Sequence, residues 1–200
     1  MSNLTEALNR IMNWLEMYQP EYAASFLPGL SRSEIDELVK PFNIVIPEEV
    51  YELYQWRNGR DIEPFNTCST ISLSICDFIP LHDAVDENNF IQWINRPEIE
   101  GGFLTSKYKN KILFPFLGHF DPDLCTVAIS NQQEECYPVL VLFVGDDPIP
   151  FCPSITSMMF IIAEAYETGA YYLDEQDSKC LDLDQDKLLK IVEKYGGYMY

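Results

Sequence analysis

The acidic residues near the C-terminus have the spacing of a calcium-binding loop. Asp182, Asp184, Asp186 and Glu193 occupy its first, third, fifth and twelfth positions, where carboxylate oxygens would coordinate the ion. The sixth position, which needs a glycine for a sharp turn, is Lys187, and "KLLKIVEK" has the spacing of an amphipathic helix. The alternative is an aspartate-rich helix start, where carboxylates accept hydrogen bonds from free N–H groups. Lys187 favours that alternative, so we predict no metal site and no cofactor.

The nucleophiles and histidines do not form a known catalytic pattern. His82 and His119 are the two histidines, and none of the six cysteines forms a Cys-x-x-Cys pair. The chain has no Gly-x-Ser-x-Gly element and no phosphate-binding glycine loop. The sequence therefore predicts no catalytic residues and no enzyme. A small hydrolase or metal-dependent enzyme that uses scattered Asp, His and Cys residues is the alternative.

Charge is distributed unevenly along the chain. The formal net charge is −19, and residues 112–178 contain 11 Asp and Glu but no Lys or Arg. Phosphate groups repel so acidic a protein, which argues against nucleic-acid binding. The same field would attract a basic protein partner, although solubility alone is the alternative explanation.

Four aspartates form the predicted partner-binding site. If the strands of the cation-free segment are consecutive and antiparallel, its first and third turns share one end of the sheet. That arrangement brings Asp121 and Asp123 near Asp146 and Asp147, whereas Glu134 and Glu135 fall at the opposite end. The competing explanation is that aspartate is common in turns, where it bonds to the backbone.

Short turn-rich connections separate the strand candidates and favour antiparallel neighbours. These candidates are residues 111–118, 124–130 and 137–145. A helix follows them, with Ser154 or Thr156 near its start and Gly169 at its end. The chain then continues through an acidic linker into a helix over about residues 186–195.

Helices dominate the N-terminal part. Residues 4–18 carry apolar side chains at helical spacing, with Thr5 as the expected N-cap. In "LSRSEI", Ser31 and Glu34 have the spacing of a capping box, in which each side chain bonds to the other's backbone N–H.

The stretch "IPEEVYELYQWRNG" predicts another helix. Pro47 suits its first position, and Glu48 and Glu49 would then interact favourably with the positive end of the same helix. Gly59 would end it in the left-handed conformation that glycine adopts without strain.

Composition indicates a folded protein. The chain is 47% hydrophobic and 14% aromatic, which is enough for a sizeable core. The start "MSNLTEALNR" does not resemble a signal peptide, and the longest apolar runs are shorter than the roughly 20 residues of a membrane span. We expect a cytoplasmic protein with reduced cysteines and no membrane association.

These elements predict an α+β fold with N-terminal helices, a central, mostly antiparallel sheet, a helix packed on it, and a short C-terminal helical extension. The predicted division is a domain over residues 1–172, followed by the acidic linker and extension over 173–200.

Several motifs in order resemble the SUKH superfamily, the Smi/Knr-type cell-wall assembly and glucan synthesis regulators. The resemblance covers most of residues 4–170 and begins with "ALNRIMNWLEMYQ". Leu30, Ser31, Glu34 and Ile35 match the start of one family helix, and "IPEEVYELYQWRNG" matches the next helix and its Asn-Gly. "FIPLHDA", "ILFPFLG", "YPVLVLFVGDDP" and "CPSITSMMFIIAEAY" are similar to the family's sheet and closing helix.

The resemblance implies protein binding without catalysis. Bacterial members of the superfamily are often immunity proteins that neutralise toxins, frequently nucleases, and the fungal branch is linked to cell-wall synthesis and signalling. Because nucleases are typically basic, the acidic charge of this chain fits the immunity role. A regulatory scaffold of the cell-wall type is the alternative that the resemblance leaves open.

Overall fold

The computed structural model describes residues 2–42, 45–60, 77–86, 108, 111–118, 124–129, 132–142, 148–173 and 181–198. Within these residues every strand pair is antiparallel, and helices cover one face of the largest sheet. The α+β prediction is confirmed.

Among the described residues, four α-helices precede the main sheet. They are α1 (Asn3–Tyr18), α2 (Pro20–Ala24), α3 (Arg32–Val39) and α4 (Glu48–Trp56). The predicted capping box of Ser31 and Glu34 is present at the start of α3. The predicted N-cap of α1, Thr5, lies about one turn too late. The N-cap is Ser2, whose side chain accepts a hydrogen bond from the Thr5 N–H.

A five-stranded antiparallel meander forms the main sheet, in the order β3-β4-β5-β6-β7. Its strands are β3 (Asp77–Phe78), β4 (Ile112–Gly118), β5 (Leu124–Ile129), β6 (Val139–Leu142) and β7 (Ile149–Cys152). The three predicted strands are confirmed as β4, β5 and β6.

Two small two-stranded antiparallel sheets lie outside the main sheet and were not predicted. In one, β1 (Phe26–Pro28) pairs with β2 (Arg57–Arg60). In the other, β8 (Tyr171–Leu173) pairs with β9 (Leu181–Leu183). Strands of three or four residues are too short to show a period-2 pattern in the sequence. They form because each pairs with a strand that lies elsewhere in the sequence.

Three helices complete the described fold. Helix α5 begins at residue 81 and is described through residue 86. Helix α6 (Ile155–Thr168) has Ser154 as its N-cap and ends at Gly169, whose φ of 67° is left-handed, as predicted. Helix α7 (Gln185–Lys194) closes the chain.

The main sheet has two different apolar faces. Phe114, Val127 and Val139 share one face through their strand register, and they belong to the large core built with α1 and α6. Leu113 and Leu140 belong to a second buried cluster, completed by Leu142 and Tyr108. Both faces are therefore apolar.

The C-terminal helix shares the main core. Leu188, Ile191 and Val192 of α7 are buried in the same cluster as the apolar residues of α6. Separation of the chain at residue 172 stays a prediction, whereas the packing of the last helix on α6 is a feature of the structure.

Candidate partner-binding surface

Three glutamates of α4 each serve a different helix. The Glu49 carboxylate accepts hydrogen bonds from the backbone N–H groups of Ile155 (3.3 Å) and Thr156 (3.0 Å), at the start of α6. Glu52 accepts from the Thr5 N–H of α1 at 2.9 Å. The free donors of two helix N-termini are thus satisfied by one neighbouring helix.

Glu48 has a partner on a third helix. Arg32 of α3 donates to both of its carboxylate oxygens, at 2.9 and 3.0 Å, and this pairing holds the pKa of Glu48 below its ordinary value. The Arg32 guanidinium also lies 3.8 Å from the ring centre of Tyr51. The expectation that Glu48 and Glu49 act on their own helix missed these contacts. Pro47 is the N-cap residue, one position before the predicted one.

Asn58 and Gly59 do not form a helix cap. They lie in β2, against the chain that leads into α5, where Asn58 Oδ1 accepts from the Leu81 N–H at 2.9 Å. Gly59 has the predicted positive φ of 71°, but a Cβ there would also lie 2.3 Å from the Pro80 nitrogen. Close approach of two backbones therefore requires this glycine.

The surroundings of two cysteines and one histidine are described, and none of the three residues lies in a metal-binding arrangement among the described residues. Burial raises the pKa of Cys152 to about 12, so its sulfur is a neutral thiol at physiological pH. Cys136 is exposed and its thiol lies 3.2 Å from the Pro153 carbonyl oxygen. His82 is exposed beside Asp83. Within the described part of the chain, no three His, Cys, Asp or Glu residues form a group that could hold a metal ion.

Residues of the calcium-like pattern make contacts typical of a helix start. The Asp184 side chain caps α7 by accepting from the Lys187 N–H at 3.1 Å. This hydrogen bond, together with the nearby Lys187 ammonium, lowers the pKa of Asp184. Asp182 lies in β9 and accepts from the Tyr172 hydroxyl at 3.0 Å.

The four predicted partner-binding aspartates, Asp121, Asp123, Asp146 and Asp147, lie outside the described residues. The strand ends next to them are described. Gly118 pairs with Leu124, and Leu124 pairs with Leu142, so β4 and β6 both end where β5 begins. The two segments that contain the aspartates therefore leave the sheet at the same end, which we call the acidic end.

At the opposite end of the sheet, one glutamate is paired with a lysine. Glu134 lies there, as predicted, and forms an ion pair with Lys111, which precedes β4. At the acidic end, the described cation Arg60 is engaged in an ion pair with the buried Asp77, the residue of β3 that pairs with Gly118.

Arg60 has two further contacts that hold it in place. Its Nε donates to Ser25 Oγ at 2.7 Å, and its guanidinium lies 3.8 Å from the ring centre of Tyr22. The Tyr22 hydroxyl donates to Asp77 at 3.3 Å, and burial raises the pKa of this phenol. This buried cluster joins the N-terminal helices to the acidic end of the sheet.

Helices α1 and α6 end on the same side of the molecule. Both N-termini lie at α4, where Glu52 and Glu49 cap them, and Trp14 of α1 stacks on Tyr166 of α6 with ring centres 4.2 Å apart. The two helices therefore run parallel. Since Tyr22 follows α1 and contacts Asp77, their C-terminal ends lie at the acidic end.

This fold is an α+β domain in which parallel helices cover one face of an antiparallel meander and a central helix ties the helical layer together. The chain belongs to the SMI1 / KNR4 family (SUKH-1), whose model matches residues 29–179. This membership confirms the superfamily resemblance. A comparison with curated proteins gives no match. In the described ranges, no helix is both long enough and apolar enough to cross a membrane.

Proposed function

We propose that this protein is a cytoplasmic, non-enzymatic protein-binding module, an immunity protein that neutralises a basic toxin of the nuclease type. Family membership supports a domain of this class, and the charge distribution supports a basic partner. Nucleic acid is not the proposed partner, because its phosphates would be repelled by a net charge of −19.

The observation that carries the proposal is the cation-free segment. Residues 112–178 contain no Lys or Arg, and they supply four of the five strands of the main sheet. The two aspartate-containing segments adjoin strands that end together, and Arg60, at that end of the sheet, forms an ion pair with Asp77. An acidic surface of this kind accelerates encounter with a basic protein.

The contacts of the described carboxylates favour binding over catalysis. Glu48, Glu49 and Glu52 bond to other helices, and the Cys152 sulfur is held as a neutral thiol. These groups therefore contribute to the structure of the fold.

A two-stage experiment tests the proposal. The full chain is immobilised and used to capture proteins from source lysate at low and at moderate salt, and the bound protein is identified. Association rates are then measured against that protein for the wild type and for a variant with Lys at positions 121, 123, 146 and 147. We expect the variant to associate about tenfold more slowly at low salt and to show a weaker salt dependence.

The matched control is Glu135→Lys. It changes the charge by the same amount as each aspartate reversal, at an exposed position in the connection next to Glu134, at the opposite end. An unchanged on-rate in the fourfold variant would contradict the acidic end as the binding site. A captured cell-wall synthesis or signalling protein in place of a toxin would instead support the regulatory-scaffold alternative.

A further inference from the structure

A row of aromatic side chains crosses the C-terminal ends of α1 and α6. Tyr18 lies 5.0 Å from Trp14, Trp14 stacks on Tyr166 at 4.2 Å, and Tyr166 meets Tyr171 edge-on at 5.6 Å between ring centres. Tyr171 in turn pairs with Leu183 across the β8–β9 hairpin. Four elements therefore contribute to one continuous apolar row, defined by these five residues, which we call the aromatic row.

The middle of the aromatic row is buried and its two ends are exposed. Tyr166 and Tyr171 belong to the core, whereas Tyr18 is 51% exposed and Leu183 is 45% exposed. Met17, next to Tyr18, is 71% exposed. The exposed side chains therefore lie at two places, Met17 and Tyr18 at one end of the row and Leu183 at the other, and exposed apolar side chains that continue into a packed core are typical of protein interaction sites, where aromatic residues act as anchors.

Much of this surface lies outside the part of the chain that matches the family. The match spans residues 29–179, whereas Trp14, Met17 and Tyr18 precede it and Leu183 follows it. The exposed ends of the aromatic row therefore lie just before and just after the matched range.

We propose that the aromatic row is the anchor site for a partner segment that carries leucine or aromatic residues beside arginines. The inference rests on the proposed function for the charge of the partner. Glu16 and Glu21, both exposed, lie on either side of Tyr18 in the sequence, and aromatic faces attract guanidinium groups. A second copy of the chain is disfavoured as the occupant because each copy carries −19.

The aromatic row also lies near the acidic end of the sheet. The aromatic row lies where α1 and α6 end, and the contact of Tyr22 with Asp77 puts these helix ends beside the end of β4. A single partner could therefore use the acidic end for steering and the aromatic row for apolar contact. In interfaces of this type, charge mainly sets the on-rate and buried anchors set the off-rate.

Two synthetic peptides provide the probe. They have the same length and the same number of arginines, but one carries leucine and phenylalanine where the other carries serine and glycine. Calorimetric titration of the full chain at several temperatures should show about tenfold tighter binding of the apolar peptide. It should also show a more negative heat-capacity change, which marks the burial of apolar surface.

The variants Tyr18→Ser and Leu183→Ser test the site itself. We expect each to remove most of the preference for the apolar peptide, with the weaker peptide bound as before. Leu189→Ser is the matched control, since Leu189 is a leucine 40% exposed on α7, outside the aromatic row. Equal preference in Leu183→Ser and wild type, or no binding of the apolar peptide by wild type, would overturn the proposal.

The fourfold Lys variant separates this inference from the proposed function. If it weakens both peptides while Leu183→Ser leaves the preference intact, the acidic end stands and the aromatic row fails. If the preference depends on Leu183 and the aspartate reversals have no effect, the aromatic row stands and the acidic end fails. Sedimentation of wild type and Leu183→Ser tests whether a second copy of the chain occupies the aromatic row. If the wild type self-associates and Leu183→Ser does not, the occupant is a second copy and the proposed partner segment is wrong.

Discussion

At the scale of single residues, Gly59 has two separate reasons to be glycine. Its φ of 71° lies in the left-handed region, and the backbone at Ile79 and Pro80 occupies the space that a Cβ would need. Gly169 has nearly the same φ, of 67°, but no atom lies within 4 Å of the position that a Cβ would take. Substitution of the two glycines therefore separates the free-energy cost of a left-handed backbone conformation from that of steric overlap.

We predict that Gly59→Ala lowers the free energy of unfolding by about 3 kcal/mol, since left-handed strain and steric overlap add together. Gly169→Ala should cost about 1 kcal/mol, from the strain alone. Urea unfolding of both variants measures the difference. Equal losses at the two positions would contradict the role of close backbone approach at Gly59.

At the scale of elements, α4 holds the helical layer together. Its carboxylates reach α1 through Glu52, α3 through Glu48 and α6 through Glu49. Because capped N-termini are more stable than free ones, α4 fixes where two long helices begin as well as how they pack.

We predict that Glu49→Ala destabilises the protein by about 1–2 kcal/mol, the usual cost of removing an N-terminal cap. Glu48→Ala, its neighbour, should cost much less, because exposed ion pairs contribute little. Thermal unfolding of the two variants provides the comparison. A Glu48 variant less stable than the Glu49 variant would argue against capping as the main role of α4.

Helices α6 and α7 are tied by Glu164. Its carboxylate accepts from Lys194 Nζ at 2.6 Å and from the Tyr195 hydroxyl at 2.7 Å, and these bonds lower its pKa. A carboxyl group with a lowered folded-state pKa stabilises the fold above its unfolded pKa. That contribution is lost as the pH falls through the folded-state value.

We therefore predict that the free energy of unfolding of Glu164→Gln falls less steeply than that of wild type as the pH drops below about 4.5. The amide keeps the shape of the side chain but does not titrate. Glu193→Gln, an exposed glutamate of α7, serves as the control. Denaturant unfolding at a series of pH values measures the slope, and identical acid limbs for wild type and Glu164→Gln would refute the prediction.

At the scale of the whole molecule, charge is the dominant property. A net charge of −19 destabilises the compact state through repulsion among its carboxylates, and salt screens that repulsion. The structural ion pairs are local exceptions, and Arg60, Lys111 and Lys194 each have a carboxylate partner.

We predict that the melting temperature rises by a few degrees as sodium chloride is raised from about 10 to 200 mM, because the Debye length shortens from roughly 30 Å to below 10 Å. Calcium chloride at matched ionic strength should have the same effect as sodium chloride. A larger effect of calcium would favour an ion site at Asp182, Asp184, Asp186 and Glu193. A melting temperature that falls with added salt would contradict the dominance of repulsion.

Features governed by near neighbours in the sequence were predictable. The capping box of Ser31 and Glu34, the end of α6 at Gly169 and the antiparallel order of β4 to β6 follow from contacts within a few residues or across short turns. Of the proposed binding site, the sequence supplied the acidic segment and the shared end at which β4 and β6 stop and β5 begins, because consecutive antiparallel strands leave no other arrangement.

What the sequence determined, then, is the longer helices, the strands β4 to β6 and an excess of negative charge, since short-range spacing and composition encode them, while the resemblance of its motifs pointed to the family. Only the tertiary structure decided that Glu49 caps a helix more than 100 residues away, that Gly59 lies against Pro80, and that Trp14 meets Tyr166 in the aromatic row. These contacts join residues far apart in the chain, and only the packing of helices on the sheet brings them together.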